Sequence, residues 1–207
     1  MKAPLALALA LTLALVAVPG HAAPRNADPD WPCQSVKVGE LSVGAVWNGA
    51  PLDDALKTWE QDGEAADLAR RVSQRRLPID RAESEIAAFA ARQPAGDARA
   101  ARLAHVMAGV FTILDGERTA VIEGLDRVGR RQKELAAAVR QKAMQLAAAQ
   151  SAPDADEAKV NELSQGLGWD TRLFEQRRVS IQFACAVPNT IEQRLFALAR
   201  AIQKGLG

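Results

Sequence analysis

The chain has 207 residues, of which 42 are alanine and nine aromatic, none of them Tyr. This composition favours helix and argues against a β-sandwich or barrel. Charged residues make up 25% with a net charge of +1, which excludes a disordered polyelectrolyte, and two cysteines are too few for a disulfide-dense miniprotein.

Lys2 precedes a run over residues 5–18 that is apolar except for Thr12. Pro19-Gly20 breaks it, and Gly20-His21-Ala22 offers small residues at the −3 and −1 positions of a cleavage site. This is the pattern of a secretory signal cleaved near Ala22. The run is shorter than the roughly 20 residues that span a bilayer, and no second long apolar run follows. The expectation is a periplasmic protein without stable membrane insertion. Loss of Lys2 would bring the mature chain to net zero, which argues against generic nucleic-acid binding.

Residues 23–51 hold four prolines and three glycines and are expected to form an extended N-terminal strap. Val36, Val38, Leu41, Val43 and Val46 would lie along a larger body, with Trp31 and Trp47 as anchors. Cys33 falls in this strap and Cys185 near the C-terminus. In an exported chain an even cysteine count reads as a disulfide. No CxxC supports a redox dithiol, and no CxxCH a c-type haem.

Residues 52–207 read as a helical bundle. Asp53 is a plausible N-cap for a helix over 53–72, weakened at Gly63. Leu77-Pro78 opens a second, ended by residues 93–96. Asp97 caps a third, which Asp115-Gly116 breaks or bends. The longest helix is expected over 117–149. There Val121, Leu125, Val128, Leu135, Val139 and Leu146 keep a 4-3 spacing, with Gln132 and Lys142 in the two remaining slots. Residues 151–156 form a turn. A short helix then runs to Leu167, bracketed by Gly166 and Gly168, and Asp170 caps another. Pro188 kinks or breaks that helix. Residues 190–193 (Thr-Ile-Glu-Gln) fit a capping box, and Gly205 is a natural stop.

Few chemistries have a recognisable signature here. One histidine survives signal removal, His105, inside an apolar helical stretch, so two-His zinc sites cannot form within one chain. No phosphate-binding glycine loop or nucleophile elbow occurs. No catalytic residue, metal ligand or cofactor is assigned. Arg71 and Arg75, one helical turn apart, could share an anion, and Arg127, Arg130 and Arg131 form a second cluster. Surface ion pairing is the simpler reading of both clusters, with Glu123–Arg127 and Asp126–Arg130 well oriented for it; pairs with the acidic strap come second and an anion site third.

Two stretches carry a resemblance. Asp30-Trp31-Pro32-Cys33-Gln34 continues through Leu41-Ser42 to Val46-Trp47. Cys185-Ala186-Val187-Pro188 is followed by Ile191-Glu192-Gln193-Arg194-Leu195-Phe196-Ala197. Together they resemble a family of exported helical proteins of Gram-negative bacteria to which no activity is assigned. The resemblance implies export and pairing of Cys33 with Cys185. The expected fold is all-α, an antiparallel helical bundle with its strap held by one disulfide. The expected function is that of a non-enzymatic interaction or accessory protein with a protein partner in the envelope, with homo-oligomers as one form of pairing. The alternatives are an envelope hydrolase working through dispersed carboxylates, or a carrier of small anions or ligands using the arginine clusters.

Overall fold

The computed structural model describes residues 28–207. The expected signal segment and the first residues of the strap lie outside the described residues. Seven α-helices follow one another: α1 (Val43–Val46), α2 (Asp53–Thr58), α3 (Gly63–Ser73), α4 (Ile79–Ala91), α5 (Asp97–Ser151), α6 (Glu157–Ala184) and α7 (Val187–Lys204). A 3-10 turn (Trp59–Gln61) joins α2 to α3. No strand occurs among the described residues.

α5 is the spine. At 55 residues it is about 80 Å long, and it belongs to two different environments. In its N-terminal part Val106, Met107, Gly109, Val110 and Phe111 are all buried, so the helix is covered on every side. α2, α3 and α7 pack here, and α4 closes the body against α7 and α3. Leu68, Phe89, Leu103, Leu114, Ile191, Leu195 and Leu198 fill the centre and are at most 2% exposed. Gly109 lets α3 and the 3-10 turn approach: a Cβ there would lie 2.7 Å from both Ala69 Cβ and the Trp59 ring. Arg194 of α7 donates through Nε and Nη2 to the Val72 carbonyl, and burial pushes its guanidinium below its ordinary pKa.

The C-terminal part of α5 leaves this body and pairs with α6 as an antiparallel two-helix arm. Between Gly129 and Ile181 no residue is fully buried. One stripe along the arm carries all the packing, as expected of an a/d seam rather than a core. Both polar slots of the expected seam have a partner. Gln132 Nε2 donates to the Phe174 carbonyl at 2.9 Å, and Lys142 Nζ meets Asp170 Oδ2 at 2.5 Å.

Several boundaries differ from the sequence reading. The expected helix over 53–72 is cut at Asp62, whose carboxylate accepts from Ala65 N and caps α3. Asp53 and Asp97 are first-turn residues, and Leu52 and Gly96 stand at the cap positions. Gly96 does so at φ 83°, a conformation open to glycine. Asp115-Gly116 does not interrupt α5, because Leu114 and Arg118 beside it are both buried. That packing outweighs a glycine penalty of about 1 kcal/mol.

The two helices expected between 157 and 184 are one. Gly166 faces the Lys142 side chain, with a Cβ position 3.3 Å from Nζ, and Asp170 serves the ion pair rather than a cap. Pro188 sits in the first turn of α7, where its missing N–H costs nothing. The expected capping box at 190–193 therefore lies inside the helix, and Thr190 Oγ1 donates back to the Ala186 carbonyl.

The strap runs antiparallel to α5. Asp30 lies beside Gly129 and Lys133, Lys37 beside Asp126, and Val38-Gly39 beside Arg118. It then coils into α1 instead of staying extended, and buries Val46 and Trp47 in the main core. Val36 and Val38 remain 58% and 51% exposed; at Val38 the contact with α5 is made by the backbone carbonyl, which accepts from Arg118.

Candidate functional site: the root of the helical arm

Four ties fix the strap across the root of the arm. Cys33 and Cys185 form a disulfide with Cα atoms 5.6 Å apart, closing 152 residues. Gly129 allows the Asp30 carbonyl to touch α5, since a Cβ there would sit 1.9 Å from that oxygen. Lys37 Nζ lies 2.6 Å from Asp28 Oδ2 and 2.7 Å from Asp126 Oδ2. Asp126 and Asp28 hold the Lys37 ammonium above its usual pKa, and Lys37 in turn holds the Asp28 carboxyl low. Arg118, only 1% exposed, gives Nε to Glu192 and its two terminal nitrogens to the Gly39 and Val38 carbonyls. One buried cation thus joins α5, α7 and the strap.

Two hollows flank the α5–α6 pair at this root, and Gln132 and Ile181 line both. The first, about 630 Å³, is roofed by the strap around Trp31 and the disulfide. Its charged groups are paired, Lys133 with Asp30 and Arg178 with Glu175. The second, about 470 Å³, has a floor of Leu125 and Ile181, with Val121, Val128 and Ala184 around it, and is bordered by Arg131 and Arg177.

The arginine candidates fall into different settings. Arg71 pairs with Glu85 at 3.2 Å and Arg75 with Glu117 at 2.8 Å, so the two do not share an anion. Arg127 faces Glu123 at 3.9 Å, as expected. Arg130 does not pair with Asp126, which Lys37 occupies; it lies 3.8 Å from Asp30 of the strap. Arg131 alone of the five has no carboxylate partner among the described residues, and α6 brings Arg177, equally unpaired, to the same hollow. Arg177 and Arg118 escaped the sequence reading, because nothing in their local spacing marks them. Their roles depend on which helix faces which.

His105, inside its apolar helical stretch, has a polar neighbour at each ring nitrogen. Its Nε2 lies 3.3 Å from Thr58 Oγ1 and its Nδ1 3.3 Å from Asp62 Oδ2. The order hydroxyl–imidazole–carboxylate resembles a hydrolytic relay, but the partners are committed elsewhere. Thr58 donates its hydroxyl proton to the Asp54 carbonyl at 2.8 Å. Asp62 caps α3 through Oδ1 and meets Arg102 Nε at 2.8 Å through Oδ2. The cluster fastens α2 and α3 to α5. Among the described residues no group of three or more His, Cys, Asp or Glu converges on a metal-sized site, and no helix is long and apolar enough to cross a membrane.

The outward side of α6 presents Trp169, Val179 and Phe183 at 64%, 46% and 74% exposure. Trp169 and Phe183 are two heptads apart and so share a face. Arg172 stands over the Trp169 ring at 6.0 Å. The shaft of the arm, 130–152 with 166–184, carries eight bases against three acids, whereas its tip, 153–165, carries four acids against one base. Comparison of the chain with protein-family models, with curated proteins and with solved structures returns no match.

Proposed function

We propose that this is a non-enzymatic interaction protein of the bacterial periplasm, and that the α5–α6 arm is its docking element. The observation that carries the reading is the arm itself: a two-helix projection with no buried residue between Gly129 and Ile181, displaying Trp169 and Phe183 on one face. Large aromatic side chains held on a rigid helix are effective anchors for a protein partner. The basic shaft fits a partner with an acidic rim around an apolar helical face. The Cys33–Cys185 bridge supports work in an oxidising compartment, and the secretory pattern of the first 22 residues supports export.

The test is site-specific photo-crosslinking in cells. Probes at Trp169 and at Phe183 are expected to trap one and the same envelope protein. A probe at Arg81, exposed on α4, is expected to trap none. Adducts of the protein with itself alone would replace the reading with self-association, and adducts from Arg81 but not from the arm would overturn it.

A further inference from the structure

The groove on the side of the α5–α6 pair away from the strap holds an uncovered stretch of apolar surface. Elsewhere the apolar stripe of α5 is covered by α3 and α7 or, on the opposite flank, by the strap. Here Leu125 and Ile181 are 4% and 7% exposed and form a floor, while Val128 remains 39% exposed at the rim. The hollow measures about 470 Å³.

Its polarity is graded along its length. Val121 and Ala184 lie at the end next to the body; Arg131 and Arg177 lie toward the arm. Ten residues separate Val121 from Arg131, about 15 Å along α5. No acid lines the hollow, and neither arginine has an ion-pair partner among the described residues. The two guanidiniums, one from each helix, therefore carry uncompensated charge at one end of an apolar slot. Guanidinium forks suit a carboxylate held in a fixed plane, and a mostly apolar concavity with a few polar groups at one end is how small ligands are commonly held.

We propose that this groove binds a single-chain amphiphile with an anionic head, a free long-chain carboxylate, whose head lies between Arg131 and Arg177 and whose chain runs toward Val121. A length of about 15 Å and a volume of about 470 Å³ suit one acyl chain and not the two of a bilayer phospholipid. The outward face bearing Trp169 and Phe183 takes no part, so this proposal is independent of the docking role of the arm.

The experiment is calorimetric titration of the disulfide-intact mature protein with dodecanoate below its micellar range, beside dodecyltrimethylammonium and vesicles of phosphatidylglycerol. Saturable one-to-one binding of dodecanoate is expected, with the cation bound at least tenfold more weakly. Arg131→Ala and Arg177→Ala should each weaken dodecanoate about tenfold, as loss of a charge-assisted hydrogen bond implies. Both sites are exposed, so the melting temperature should hold. Val128→Trp, which fills the slot, should abolish binding in a protein that still melts normally. Trp169→Glu with Phe183→Glu should leave binding unchanged. Equal affinity for the cation, unchanged affinity in the arginine variants, or binding to the vesicles but not to free dodecanoate would each overturn the proposal.

Discussion

Arg118 Nε lies 2.5 Å from Glu192 Oε1, and this pair joins the middle of α5 to the first turns of α7 beneath the strap. Removing the cation strands a carboxylate and the two strap carbonyls of Val38 and Gly39 together. Arg118→Met is expected to cost about 3 kcal/mol, the lower end for breaking a buried pair, because Glu192 is itself 26% exposed. Glu192→Gln keeps an acceptor and should cost less. Urea denaturation of both variants checks the order.

The disulfide closes a loop of 152 residues. Chain entropy sets an upper value of about 5 kcal/mol for such a closure. Cys33→Ser should lower the melting temperature by several degrees and make residues 28–42 the first site of proteolysis. An unchanged melt together with an unchanged digestion pattern would show that the other three ties hold the strap alone.

Gly129→Ala tests the closest of those ties. The added methyl meets the Asp30 carbonyl and the Pro32 ring, which are backbone and ring atoms with little freedom to yield. A loss of about 1–3 kcal/mol is expected, as for overpacked cores. Proteolysis should again begin in the strap, although the bridge is intact.

Leu135→Asp places a charge in the seam of the arm. Leu135 is only half-buried and lies beyond the body, so the damage should be local. Hydrogen exchange is expected to show faster opening of residues 130–180, with the protection of α3, α4 and α7 unchanged. Global unfolding would mean that arm and body form one cooperative unit.

The pH dependence of the strap follows from its titrating groups. Asp28 is held below its ordinary value of 3.8, first by the Lys37 hydrogen bond and then by the Asp30 amide. A depressed carboxylate contributes stability above its unfolded pKa and loses it as pH falls through the folded value. Lys37 is raised above 10.5, first by Asp126 and then by Asp28, so its contribution is complete below 10.5 and is lost only above that. In the Cys33→Ser variant, proteolysis of the strap should be flat from pH 5 to 9 and increase below pH 4.

The helical class, the single bridge and the seam of the arm were legible because each rests on local pattern: composition, cysteine count and a 4-3 spacing. The continuity of α5 and α6 was not. Gly116, Gly166 and Gly168 are all tolerated within helices, Gly166 because Lys142 needs the space. The expected aspartate caps failed for a similar reason, since Asp53, Asp97 and Asp170 can equally serve as first-turn acids or ion-pair partners. Arg118 and Arg177 were silent because their meaning lies in residues 74 positions away, as with Glu192, or in a groove made by two helices at once.

α5 runs without a break from the packed body into the exposed arm, so the molecule has no joint at the place where a joint would be easiest to build. A load applied at the tip therefore acts on a lever some tens of ångströms long. The lashings of the strap at Gly129, Asp126 and Arg118 sit at its fulcrum, and that is where the torque must be resisted.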